Sequence, residues 1–109
     1  MYAVISEWST GGNDTRNYDE VIRRANIHED PPAGLVAHGA GTTPEGGFRV
    51  ADIWETREAF EAFEAERLTP AVEAMLAALP PERRGPASPP RRSVYELHDV
   101  LVPRAVAGV

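Results

Sequence analysis

The sequence predicts an α+β domain with its elements in the order β-α-β-β-α-β. Three observations carry this. The chain opens on a short run of β-formers. Two later stretches repeat apolar residues at helical spacing. Two further β-rich runs flank a glycine-containing hairpin. At 109 residues the chain has room for one domain, placed at 1–102, with 80–92 as an internal linker and 103–109 as a tail.

The first run, Tyr2-Ala3-Val4-Ile5-Ser6-Glu7-Trp8, ends in turn residues at 9–14. In the helix that follows, Tyr18, Val21, Ile22 and Ala25 form one stripe. Asn17 with Glu20 has the form of a capping box, with Thr15 as the other candidate cap. Asp30-Pro31-Pro32 stops the helix, because proline lacks the N–H and restricts the residue before it. Gly34–Gly41 and Phe48–Glu55 read as strands around the hairpin 42–47. Thr56 caps a helix whose apolar side is Ala59, Phe60, Phe63 and Leu68. Pro70 would clash inside a continuous helix. Two pieces are therefore expected, 56–68 and 70–79, with a kink or break between them, the second capped by Thr69 and presenting Val72, Met75, Leu76 and Leu79. Residues 80–92 are rich in proline and carry four arginines. They could grip an anion, but the preferred reading is a solvated connector. Ser93–Val102 is the last strand.

Composition narrows the function. A formal charge of −6 disfavours nucleic acid and anionic membrane surfaces. The absence of cysteine excludes disulfides, thiolate metal sites and cysteine nucleophiles. No apolar run approaches the ~20 residues that span a bilayer, and the N-terminus has no signal-peptide pattern. A cytoplasmic protein is expected.

The element order is that of the ferredoxin-like fold, a four-stranded antiparallel sheet in order 4-1-3-2 with both helices on one face. The uncovered face would carry either Val4, Trp8, Val36, Phe48, Val50, Trp54 and Val100, or Ile5, Leu35, Ile53 and Leu97. Either set is too apolar for water. A second copy is expected to cover it, pairing two sheets into a dimeric α/β barrel around a shared pocket.

Ile53-Trp54-Glu55-Thr56-Arg57-Glu58-Ala59-Phe60 resembles the strand-to-helix junction of dimeric α/β-barrel proteins of the antibiotic-biosynthesis-monooxygenase-like branch. In that branch a tryptophan closes the third strand, followed by an acidic-Ser/Thr cap and an aromatic one and a half turns on. Gly34-Leu35-Val36-Ala37-His38 and Tyr95-Glu96-Leu97-His98-Asp99-Val100 are also similar to small members. The resemblance spans nearly the whole chain and implies the fold and the dimer. It leaves the chemistry open, since relatives include haem-degrading, cofactor-free oxygenating, isomerising and dehydrating proteins. Haem-degrading relatives use a helix histidine, and residues 56–79 contain none. Cofactor-free quinone-forming relatives pair the tryptophan with an asparagine and a tyrosine, where this chain has Val50 and Phe60.

Candidate chemistry centres on the hairpin. If it is symmetric about Glu45, His38 lies opposite Asp52 and Val36 opposite Trp54. A carboxylate beside an imidazole fixes its tautomer and raises its basicity, a general-base arrangement. The same pair could simply fix strand register. Trp54, Val50, Phe48 and Phe60 are the candidate pocket wall, with Trp54 able to stack on an aromatic ligand or to serve as plain core.

His98 is placed on the last strand with Glu96 and Val100, and is a further substrate-binding candidate. His38 and His98 would sit on opposite sheet edges, roughly 14 Å apart at ~4.8 Å per strand. A metal triad is thus conceivable only with the partner's His98 added to His38 and Asp52, and the expectation is no metal and no cofactor. His28 reads as surface and Ser6 as polar filler.

Two functions follow. One is a cofactor-independent enzyme acting by His-based proton transfer on a small hydrophobic, aromatic or polyketide-like molecule, in the manner of a monooxygenase, cyclase or isomerase. The other is a non-catalytic dimeric module that binds a small ligand or contributes only a stable fold.

Overall fold

Strand β1 (Tyr2–Trp8) lies at the interior of a four-stranded antiparallel sheet ordered β2-β3-β1-β4. Its partners are β3 (Phe48–Trp54) and β4 (Arg91–Glu96), and β2 (Leu35–Thr42) forms the far edge against β3. This is the ferredoxin-like arrangement. The computed structural model describes residues 1–83 and 89–103. Parts of the expected linker and tail, 84–88 and 104–109, lie outside the described residues. Among the described residues, no helix is long and apolar enough to cross a membrane.

Helix α1 (Arg16–Ala25) buries Val21, Ile22 and Ala25, with Tyr18 packed beside them. Asn17 lies within the helix, so it is not the cap. Thr15 occupies the N-cap position, but its hydroxyl donates to Asp19 instead of capping, and Asp14 accepts from the Arg16 N–H. Thr56 does cap α2 (Arg57–Phe63), accepting from Ala59 N–H at 3.1 Å.

The second helix does not break at Pro70. It passes through a π-helical turn, Glu64–Leu68, directly into α3 (Thr69–Ala78). Thr69 is helical and donates its N–H to Glu64 O, five residues back, so it is no cap. Widening the turn is a way to relieve the clash that a proline ring makes with the carbonyl four residues earlier. On α3, Ala71 and Met75 are buried while Leu76 is 45% exposed, so Leu76 leaves the expected apolar side.

Two strand expectations change. The hairpin register holds from Thr42↔Phe48 to Ala37↔Ile53, but a bulge then brings Leu35, and not Val36, opposite Trp54. An extra residue in a bulge shifts everything beyond it. The last strand covers Arg91–Glu96 in place of Ser93–Val102. Its final β1 partner is Tyr2, opposite Glu96, and Leu97 N–H then bonds Met1 O, after which β4 has no strand to pair with.

The helices cover the sheet face carrying Val4 and Trp54, both in the core with Phe60, Phe63 and Met75. The bulge moves Leu35 onto this side as well. The other face holds Ala3, Ile5, Ala37, Gly39, Ala51, Ile53, Tyr95 and Leu97 around a shallow depression of about 370 Å³. Tyr95 there is half exposed.

Candidate active site between sheet and helices

His38 and Asp52 face each other across the β2–β3 pair, as the symmetric hairpin requires. The imidazole Nδ1 lies 2.5 Å from Asp52 Oδ1, and both side chains are largely buried. An ionised carboxylate only accepts, so Nδ1 carries a proton, and in a neutral imidazole Nε2 is then the acceptor. That acceptor is used: Tyr18 Oη of α1 lies 2.7 Å from Nε2. The Tyr18 and His38 rings are parallel within 5°, and Tyr18 also packs against Phe48 at 5.1 Å. Burial, then the nearby Asp52 and Asp19 charges, push the Tyr18 hydroxyl above its ordinary value. Tyr18 is therefore a neutral O–H donor at physiological pH.

These contacts place the pair in the layer between sheet and helices. The shared-pocket expectation placed a functional cavity between two sheets. His38 and Asp52 do border the open-face depression, but their side chains meet α1 on the opposite face. The side-chain contacts put the polar atoms of the pair on the helix side of the sheet.

Trp54 is fully buried against Phe60 and Phe63, with ring centroids 5.8 and 5.3 Å away. Its indole N–H has no acceptor among the described residues. A buried unpaired donor costs about 1–3 kcal/mol. Burial falls along this face. The Trp54 end is closed, whereas Val50, Phe48 and Trp8 are only half-buried and Ala40 is exposed. The Phe48 end is the less buried one, crossed by the 9–14 loop through Gly12 N–H to Gly46 O and Thr42 Oγ1 to Gly12 O.

Ser6 is buried and accepts from Arg92 Nε at 3.4 Å. Arg92 also pairs with Glu64 of the π turn and lies over Phe60, with its guanidinium carbon 5.5 Å from the ring centre. These contacts tie β4 to the helix. His98 is exposed, beyond the end of β4, and shares no strand face with Glu96 and Val100. His28 is exposed too. Among the described residues no group of three His, Cys, Asp or Glu converges as a metal would need. Tyr18 is the member of the cluster that sequence reading passed over. The available signal was its position as the one hydroxyl on the buried stripe of α1.

No protein-family profile matches the chain, and no curated protein matches it by sequence. Its architecture, however, recurs in solved structures. SnoaB from Streptomyces nogalater, a cofactor-independent oxygenase, aligns with TM-score 0.61 and 14% identity over 92% of this chain and 95% of its own. A monooxygenase from the gene ActVA-Orf6 of Streptomyces coelicolor, solved in complex with the ligand Nanaomycin D, aligns with TM-score 0.61 and 16% identity. That match covers 94% of this chain and 92% of the other. Rv0793 from Mycobacterium tuberculosis gives TM-score 0.64 at 12% identity, covering 93% and 98%. The fold is theirs. At such identities the likeness extends to backbone architecture and leaves the chemistry to the side chains described above.

Proposed function

We propose that the protein is a cofactor-independent enzyme that removes a proton from a small hydrophobic, aromatic or polyketide-like molecule, with His38 as the base. The observation that carries this reading is the Asp52–His38 hydrogen bond, largely shielded from water within the layer. The carboxylate fixes the tautomer and stabilises the imidazolium formed when Nε2 takes a proton. Half-buried Phe48 and Val50 supply an apolar wall suited to an aromatic ligand, backed by Trp54 and Phe60, which are buried in the core and do not themselves face a ligand. His98, exposed and off the strand, is left out of that wall. Once deprotonated, such a molecule can isomerise, cyclise or react with dioxygen from solution. The fold shared with a cofactor-independent oxygenase supports this class of chemistry.

The test uses anthrone, an aromatic carbon acid, incubated in D₂O with chelator and no cofactor. Wild type should exchange its acidic C–H well above the buffer rate. His38→Ala should lose at least ~100-fold while keeping the wild-type circular dichroism. Equal exchange by wild type and buffer sinks the reading.

The alternative, a non-catalytic dimeric module, has one observation in its favour. Both nitrogens of His38 are already bonded within the chain, as in a structural pair that fixes register. On that reading His38→Ala destabilises the fold and changes nothing else.

Either reading includes a homodimer, with the apolar face of Ile5, Ile53, Tyr95 and Leu97 covered by a second copy. Sedimentation equilibrium at micromolar concentration should return about twice 11.9 kDa. A folded monomer at that concentration would remove the barrel from the account.

A further inference from the structure

The placement of Tyr18 bears on which atom a ligand meets. Tyr18 Oη sits 2.7 Å from His38 Nε2, the imidazole nitrogen that does not face Asp52. Two observations argue that it stays there when a ligand arrives. Val21, Ile22 and Ala25, on the same stripe of α1, are buried in the core and fix the helix against the sheet. The Tyr18 ring is also held between neighbours, parallel to His38 with centroids 6.2 Å apart and tilted on Phe48 at 5.1 Å.

The direction of access agrees. Along this face the His38–Asp52 row lies next to the closed Trp54 row, and the Val50 and Phe48 rows lie toward the less buried end. Tyr18 touches both Phe48, in the outermost row, and His38. A ligand entering over Phe48 and Val50 reaches Tyr18 before His38.

We propose that Tyr18 Oη is the atom that takes the ligand's proton, with His38 acting through it; this rests on the proton-transfer reading above. The ligand's acidic C–H or O–H bond breaks and its proton passes to a Tyr18 Oη lone pair. In the same step the original Tyr18 proton passes to His38 Nε2. The products are the ligand anion and an imidazolium held by the Asp52 carboxylate, with tyrosine neutral throughout. No electrons change hands. Because Tyr18 never carries a charge, its weak acidity does not impede the relay. The ligand class follows: a planar carbon or oxygen acid, such as a phenol or enolisable aryl ketone, able to place its acidic hydrogen at a hydroxyl near an aromatic ring.

Tyr18→Phe keeps the ring and its packing on Phe48 while removing Oη, so folding is preserved. The test has two arms. In the first, anthrone C–H exchange is compared among wild type, Tyr18→Phe and His38→Ala. In the second, ¹⁵N spectra of the ligand-free wild type near neutral pH show which His38 nitrogen carries the proton. The expected results are a bare acceptor at Nε2 and exchange by Tyr18→Phe at least ~100-fold slower, with anthrone affinity within about threefold of wild type. If Tyr18→Phe exchanges within about threefold of wild type while His38→Ala is inactive, the relay is overturned and His38 acts directly. If wild type exchanges no faster than buffer, the proton-transfer reading itself falls. The nitrogen spectrum still decides the resting relay geometry in that case: a proton on Nε2 overturns it, because a protonated nitrogen cannot receive another from Tyr18.

Discussion

Trp54→Ala is expected to lower the unfolding free energy by about 3–5 kcal/mol. Trp54 is fully buried and joins β3 to the second helix through Phe60 and Phe63. Removing the indole takes away apolar burial and leaves a cavity between sheet and helices that these two rings fill only in part. A domain of this size has about 5–15 kcal/mol to lose, so the variant should sit near its unfolding threshold. Trp54→Phe should lose much less. It retains an aromatic ring against Phe60 and removes an indole N–H that has no acceptor among the described residues. Urea midpoints of the three proteins, at equal slope, check this ranking. Equal losses for the two variants would mean that the cavity is not the main term.

The sequence made the element order legible because each signal was local. The alternation in Tyr2–Trp8, the stripe Tyr18–Val21–Ile22–Ala25 and the Thr56 cap each depend on neighbours a few residues away, and each appears in the structure. The His38–Asp52 pairing was legible for the same reason, since a short hairpin centred on Glu45 sets the register by counting. What failed needed information from elsewhere in the fold. The bulge at Leu35–Ala37 displaces Val36 from Trp54, and no residue of that strand announces it. The end of β4 is set by where β1 stops pairing, which removed His98 and Val100 from the sheet. Pro70 signalled trouble correctly, but whether a helix breaks or widens depends on the packing that holds both halves in place.

The side of the sheet that the side chains of the pair take also had to come from the structure. Strand parity groups His38, Asp52 and Trp54, but it does not say which face the helices take. Tyr18 settles it. Its hydroxyl reaches His38 from α1, so the side chains of the pair lie on the helix side of the sheet and the other, apolar face stays open. On the proposed function, changes at Ile5 or Ile53 should alter assembly, and changes at His38 or Asp52 should alter proton transfer.

Asp52→Asn bears most directly on the central claim, that a carboxylate-supported imidazole in the helix–sheet layer moves a proton. Asparagine is close to isosteric and its carbonyl can still accept from His38 Nδ1, so strand pairing should be unaffected. What it removes is the negative charge 2.5 Å from the ring, which stabilises the imidazolium as it forms in a site shielded from water. The measurement is the rate of anthrone C–H exchange in D₂O, without cofactor, by wild type and Asp52→Asn matched for folded fraction. The account predicts a fall of about 10²–10⁴-fold with anthrone affinity little changed. An Asp52→Asn protein that is fully folded and exchanges anthrone as fast as wild type would contradict it.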